Sequence, residues 1–327
     1  LEWLTGYIAL RFLADPASAI AHFDAMARAV SGPISMSRAG YWLGRAHERR
    51  GDQVSAAAAY AGAAQFQTAF YGLLAAERLG LSLDPDLAGR EVFPDWRQAP
   101  FVGSDTARAA LTLLSAGQRS GAVVFFLQLA RQLDRTELGQ LDQILAAMNE
   151  PFFRLLVAKT ALDRGILIPA AYFPIHPLAE MDLPVSPELA LSVARRESEF
   201  NATVGSPVGA LGLMQVMPGT AEMVARDLGL DYDKWRLVND WEYNATLGAR
   251  YLADLEERFG PSPVMIAAGY NAGPRRPLEW MDARGDPRQG QIDIVDWIEM
   301  IPFKETRNYV QRVTEAIPIY RARLCGQ

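Results

Sequence analysis

Cysteine is almost absent from this chain: Cys325 is the only one in 327 residues. No intrachain disulfide can form, which suits either a reducing compartment or a large secreted protein whose core suffices without one. Histidine is nearly as scarce. His22, His47 and His176 are the only three, and none follows position 176. The C-terminal half therefore cannot run Ser-His-Asp, Cys-His or histidine-ligated zinc chemistry. Carboxylates, tyrosines and amides are what it has left. Positive charge is not in excess either: 32 Lys and Arg face 38 Asp and Glu, a formal net charge of −6. That balance argues against a nucleic-acid binder with a broad basic surface. No apolar run approaches the ~20 residues that span a bilayer. The chain opens Leu1-Glu2-Trp3, without initiator Met or signal peptide, and is expected to be a processed or truncated product.

Helix signals run throughout, with no hairpin pattern and no alternating strands, so the expected class is all-α. In the first 80 or so residues they come in pairs. Tyr7–Leu13 and Ala17–Val30 flank a break at Asp15-Pro16. Gly40-Tyr41-Trp42-Leu43-Gly44-Arg45-Ala46-His47 leads to a turn at Gly51-Asp52, then to Ala56, Tyr60 and Ala63. Small residues at these offsets let antiparallel helices approach closely, which is the tetratricopeptide pattern. If the chain were a non-catalytic scaffold, its binding would be expected to depend on the concave face around Tyr41 and Tyr60. A Pro-, Asp- and Gly-rich stretch over 81–103 reads as a linker, and a compact helical section follows to Gly165. A second proline-rich crossing, 168–184, precedes another helical region. The expected division is 1–90 for the end of a helical superhelix, 91–168 for a helical linker domain and 169–327 for a third domain.

That third region holds the candidate chemistry. A helix is expected to start at Ser186-Pro187, with the hydroxyl residue at the N-cap and proline in the first turn. From there Leu189, Val193, Glu197 and Phe200 fall on one face. A glutamate in such an apolar stripe is costly to ionise and should hold its proton tightly, as a general acid for glycosidic bonds must. The alternative is a salt bridge to Arg195 or Arg196. Next come turn residues Ser206-Pro207-Val208-Gly209 and the run Gly212-Leu213-Met214-Gln215-Val216-Met217. Its glycines serve tight turns or bring backbone close to a sugar, and Gln215 offers both donor and acceptor to an acetamido group. Tyr270-Asn271, set in Ala267-Ala268-Gly269-Tyr270-Asn271-Ala272-Gly273-Pro274, suits a pocket wall or a packed helix end. Finally, Glu305 and Tyr309 lie four apart on a helix expected to start near Pro302.

Taken singly, each of these has a structural explanation. In order, the set Glu197-Ser198, Gly212-Leu213-Met214-Gln215, Ala268-Gly269-Tyr270-Asn271-Ala272-Gly273 and Ile301-Pro302-Phe303-Lys304-Glu305-Thr306-Arg307-Asn308-Tyr309 resembles the bacterial soluble lytic murein transglycosylases of glycoside hydrolase family 23. The Gly40–His47 run and Phe70-Tyr71-Gly72 extend the resemblance upstream. Gly269, where the family usually has alanine, and Arg275-Arg276-Pro277 depart from the pattern. The resemblance implies the C-terminal part of a longer protein: a tetratricopeptide-like superhelix segment, a helical linker domain and a goose-type lysozyme-like catalytic domain. It also implies that Glu197 is catalytic acid and then base. Ser206, Gln215, Met217, Tyr270 and Asn271 would line sugar subsites, with Tyr270 orienting Glu197 and with Glu305 and Tyr309 on the opposite wall.

By the same resemblance the reaction is non-hydrolytic cleavage of the bond between N-acetylmuramic acid and N-acetylglucosamine, leaving 1,6-anhydro ends. Neither metal nor organic cofactor is implied. The substrate would be peptidoglycan strands, the location the periplasm, and other cell-wall proteins would be reached through the N-terminal repeats. Two other readings stay open: a hydrolytic muramidase on the same scaffold, and a non-catalytic helical scaffold that binds murein or proteins.

Overall fold

A computed structural model describes residues 1–325. The described residues form helices joined by turns, with two isolated antiparallel bridges, Gly205 with Leu211 and Leu211 with Val216, as their only extended pairing. The all-α class expected from the sequence is the class found. The chain divides into two compact units: Leu1–Pro85 together with Thr314–Ile319, and Asp86–Val313 together with the residues from Tyr320 on.

The first unit holds helices α1 (Glu2–Arg11), α2 (Pro16–Ala29), α3 (Pro33–Arg50), α4 (Gln53–Ala63) and α5 (Phe70–Arg78). Their ends are set by local chemistry. Asp15 caps α2 by accepting from the Ser18 amide at 3.0 Å, with Pro16 in the first turn. Gly51 closes α3 in the left-handed conformation, and Asp52 then caps α4 through the Ser55 amide at 3.0 Å. Close approach of α3 and α4 depends on Gly44, where a Cβ would stand 2.4 Å from the Tyr60 ring. Trp42, Tyr41, Tyr71 and Phe23 are fully buried in the core. Tyr60 is buried as well, so the expectation, under the scaffold reading, that Tyr41 and Tyr60 face a partner is wrong. Their rings pack 5.8 Å apart as core, because that burial outweighs leaving two aromatics in water.

In the second unit three 3₁₀ turns between Pro85 and Gly103 lead to α6 (Asp105–Ser115), α7 (Arg119–Gln132), α8 (Arg135–Ala147), α9 (Pro151–Leu162) and the short α10 (Pro169–Tyr172). Asp134 and Glu137 form a reciprocal capping box at the start of α8. Phe126, Leu138, Leu145 and Phe153 anchor a hydrophobic cluster running from Ala99 to Ala171. Within it, Asp142 and Arg154 make a largely buried ion pair at 2.6 Å. Farther along lie α11 (Pro187–Ser198), α12 (Pro218–Asp227), α13 (Arg236–Asn239), α14 (Trp241–Phe259), α15 (Pro263–Ala272), α16 (Arg275–Arg284), α17 (Ile294–Glu299) and α18 (Lys304–Leu324). Residues 314–319 of α18 belong to the first unit. Among the described residues, no helix is long and apolar enough to cross a membrane.

Candidate active site

Helix α11 starts where the sequence suggests, after Ser186 and with Pro187 in its first turn, but the Ser186 hydroxyl makes no capping bond. Leu189, Ala190, Leu191, Val193 and Ala194 are buried, so the helix threads the core and delivers Glu197 to its last turn. The helix stops one residue later. Glu199 and Phe200 both take left-handed backbone (φ 53° and 67°), an uncommon conformation for side chains with a Cβ and rarer for a bulky one. Phe200 is therefore not on the Glu197 helix face as the spacing suggested; the chain turns before reaching it. Burial holds it there instead, with its ring stacked on His176 at 5.6 Å while His176 meets Trp241 edge-on at 4.8 Å. Burial also pushes the His176 imidazole down to about 4, so at neutral pH it is an uncharged packing group.

Glu197 is half-buried. Its carboxyl is raised to about 7, above all by burial. The exposed Glu305 pushes in the same direction, while Tyr309 and Arg196 pull the other way. Tyr309 is buried, and its hydroxyl makes no well-aligned hydrogen bond, although it lies close enough to the carboxyl to influence it. The Arg196 guanidinium sits 5.7 Å from the Tyr309 ring centre. Tyr270 also feels Glu197. Its hydroxyl donates to the Met214 carbonyl at 2.8 Å, so its single proton is already used. Toward Glu197, Tyr270 can only accept, and it accepts only from a protonated carboxyl. Tyr309 keeps a proton to give, and it favours the ionised carboxyl. The two phenols thus differ in what they can offer the glutamate: Tyr309 a proton, Tyr270 only an acceptor oxygen.

The loop after α11 is held by Ser198, quoted in the motif but given no role there, and by Asn244, which the sequence reading did not single out. The Ser198 hydroxyl lies 2.6 Å from the Leu213 carbonyl and 3.2 Å from that of Ala194, tying the helix end to the loop. Asn244, fully buried on α14, accepts from the Met214 amide at 2.8 Å and donates to the carbonyls of Leu211 (2.8 Å) and Leu237 (2.9 Å). Gly212 fits against this clamp at φ 79°, where a Cβ would stand 1.9 Å from the Leu237 carbonyl. The available signal was an asparagine amid Tyr243, Ala245 and Leu247, apolar residues that α14 buries along with it. A buried amide needs partners, and a loop supplies them.

The remaining sequence candidates surround this loop. Gln215, itself left-handed (φ 48°), donates its amide to the carbonyls of Val204 (3.0 Å) and Gly212 (2.9 Å). Both donor positions are spent, which corrects the expectation of a donor and an acceptor: only Oε1 is left, as an acceptor. Ser206 pairs with Ala210 through its backbone amide (2.8 Å) and accepts the Ala210 amide on its hydroxyl (2.9 Å). Met217 precedes α12 and is 45% exposed. Asn271, in the last turn of α15, accepts from the Thr306 hydroxyl at 2.7 Å and so links α15 to α18. Glu305 is exposed in the first turn of α18. Glu197, Tyr270, Tyr309 and Glu305 thus form one electrostatic group. Ser206, Gln215, Met217 and Asn271 make no hydrogen bond to Glu197. Among the described residues, no group of three or more His, Cys, Asp or Glu is spaced to hold a metal ion.

Comparison with known proteins supplies a family model, relatives and structural neighbours. Residues 179–292 match the family model described as the transglycosylase SLT domain. That span includes Glu197 through Asn271 and stops short of Glu305 and Tyr309. The chain is 31% identical over 263 residues to the soluble lytic murein transglycosylase of Escherichia coli K12, covering 78% of this chain and 39% of that protein. The Salmonella typhimurium counterpart is 32% identical over 260 residues, covering 77% of this chain and 39% of that one. The chain therefore spans about two fifths of the length of these relatives. Among solved structures, an inactive glutamate-to-glutamine variant of lytic transglycosylase Slt from Pseudomonas aeruginosa superposes with TM-score 0.75 at 28% identity, over 99% of this chain and 52% of that one. The 70 kDa soluble lytic transglycosylase of Escherichia coli gives TM-score 0.77 at 25% identity, over 98% and 50%. The resemblance read from the sequence is borne out, and the fold is that of these all-α, lysozyme-like proteins.

Proposed function

Taking as premise that residues 179–292 are a transglycosylase SLT domain, we propose that this chain is the C-terminal part of a peptidoglycan lytic transglycosylase acting through Glu197 alone. The supporting observation is the Glu197 carboxyl, raised to about 7 by burial, so that near neutral pH both of its protonation states are populated. In the first step the protonated carboxyl gives its proton to the glycosidic oxygen between N-acetylmuramic acid and N-acetylglucosamine, and the C1–O bond breaks. The acetamido carbonyl of the muramyl sugar stabilises the charge at C1. In the second step the Glu197 carboxylate takes the proton from that sugar's C6 hydroxyl as its oxygen bonds to C1. No water is consumed, and attachment of the attacking hydroxyl supplies the proximity.

The surroundings suit this sequence of states. Tyr270, its own proton committed to Met214, accepts from Glu197 while it is an acid. Tyr309 donates to it once it is a carboxylate. Gln215, with its donors tied to the loop, offers Oε1 to an acetamido N–H. Ser206, Met217 and Asn271 complete the sugar contacts, and Glu305 faces them from α18. The division into superhelix end (1–90), helical linker (91–168) and catalytic domain (169–327), and the periplasmic location, belong to the same proposal. So does the reading of the N-terminal repeats as a surface for other cell-wall proteins.

Mass spectrometry of digested murein tests it. The products should carry ends lighter by one water than reducing ends, and Glu197→Gln should lower the rate by about a thousandfold. Reducing ends in place of anhydro ends would mean hydrolysis. Full clearing by Glu197→Gln would remove the glutamate from the chemistry altogether.

A further inference from the structure

His176 keeps one hydrogen-bonding group that neither packing nor Glu197 chemistry uses. The residue is only 6% exposed, and its Nδ1 accepts the Leu178 amide at 3.0 Å. A neutral imidazole that accepts at Nδ1 carries its proton on Nε2. Among the described residues that Nε2 finds no acceptor, and it is not sealed off from solvent. It opens on a cavity of about 220 Å³ that His176 helps to line. Phe200, on which His176 stacks, and Trp241, which it meets edge-on, give ring surface to the same cavity. Arg119 at the start of α7 and Glu150 just ahead of α9 line it too, joined in a two-pronged ion pair at 2.6 and 2.8 Å. Thr203 is also on the wall. Its hydroxyl donates to the Asn201 side-chain oxygen at 3.1 Å, which leaves it an acceptor. Residues flanking α7 and α9 thus share one cavity with the loop that follows Glu197, all within the second unit.

We propose that this cavity binds one neutral amide of peptidoglycan, its carbonyl accepting from His176 Nε2 and its N–H donating to the Thr203 hydroxyl. A buried donor without a partner calls for an acceptor, and an amide brings one together with a donor for Thr203. Charge selects against ions. The two formal charges on the wall cancel in the Arg119–Glu150 pair, and burial keeps His176 uncharged at neutral pH. Phe200 and Trp241 suit the small apolar substituents that an amide carries. Size agrees: about 220 Å³ is several times the ~30 Å³ share of one water. It falls below the ~300 Å³ at which sites for whole drug-sized ligands begin, so a single amide with its substituents fits better than a disaccharide. Peptidoglycan offers such amides in two places, the acetamido groups of its sugars and the peptide bonds of its stems. Naming peptidoglycan as the source rests on the transglycosylase reading; affinity for an amide does not.

NMR titration of the full chain tests the proposal, followed at the Trp241 indole N–H and assigned by its loss in Trp241→Phe. The probes are N-acetylglucosamine and N-acetylalanine N-methylamide. At least one should shift the signal saturably, and the one that does identifies the source as sugar or stem. Glucosamine and acetate should not. Thr203→Val should weaken binding about fivefold, the worth of one hydrogen bond, with thermal unfolding unchanged. His176→Phe keeps a ring against Phe200, removes the donor and should weaken binding as much. Because it also strips the Leu178 amide of its acceptor, Thr203→Val decides if that variant unfolds. Glu197→Gln should bind the probes as the unaltered chain does, so failure of the catalytic reading and failure of this site are separate results. The proposal is overturned if neither probe saturates, if Thr203→Val binds equally well, or if acetate displaces the bound probe at lower concentration than unbound probe does.

Discussion

Glu48 and Glu197 are both half-buried glutamates beside a buried tyrosine, Tyr60 in one case and Tyr309 in the other. Their surroundings differ in one respect. Glu48 has the Arg78 guanidinium at 3.7 Å and further arginines around it. Glu197 forms no ion pair among the described residues, its neighbour Arg196 sits over the Tyr309 ring, and Glu305 adds a second negative charge. Burial beside an aromatic ring is common to both. What distinguishes Glu197 is burial without a counter-ion, together with a loop pinned by Ser198 and Asn244 that brings the Met214 carbonyl to Tyr270.

The largest expected effect comes from breaking that loop support, which Glu48 lacks. Asn244→Ala removes three hydrogen bonds to backbone groups and leaves the Met214 amide without a partner. It should cost about 3 kcal/mol in urea unfolding and lower murein clearing along with it. Unchanged stability would mean that the loop does not need its clamp.

A second test compares the two glutamates as stability elements. Glu197 has a native carboxyl near 7 against 4.5 for the free group, so its protonated state stabilises the fold below about pH 4.5 and that contribution fades as pH rises through 7. Glu197→Gln should therefore stabilise the chain by about 1–2 kcal/mol at pH 8, discounted for partial exposure, and by nearly nothing at pH 4. Glu48→Gln, which loses a loose ion pair, should cost about 0.5 kcal/mol at pH 8. Equal behaviour of the two variants would erase the distinction.

How legible was this in the sequence? Several helix boundaries were, because Asp15-Pro16, Gly51-Asp52 and Pro187 mark them with capping and first-turn chemistry. The candidate acid was legible too, since a glutamate repeats in register with Leu189 and Val193. The left-handed pair Glu199-Phe200 was not, because neither residue favours that backbone; only the tertiary contact of Phe200 with His176 imposes it. Nor was the commitment of Gln215 to Val204 and Gly212, which depends on a loop folding back on itself. Tyr41 and Tyr60 belong to the core rather than to an open concave face, because Gly44 lets the Tyr60 ring pack directly against α3.

The smallest predicted effect imports the Glu48 situation into the other site. Glu305→Lys replaces a like charge near Glu197 by an opposite one. The alkaline limb of the pH–rate profile should move down by about half a pH unit, the exposed position screening the rest. A shift to higher pH would contradict the assigned sign.

The most direct measurement is the titration of the Glu197 side-chain carboxyl by carbon NMR in the unliganded chain, assigned by its loss in Glu197→Gln. Burial without a counter-ion predicts a midpoint near 7. A midpoint near 4.5, the ordinary value, would show that this carboxyl is an anion at working pH and could not donate the first proton.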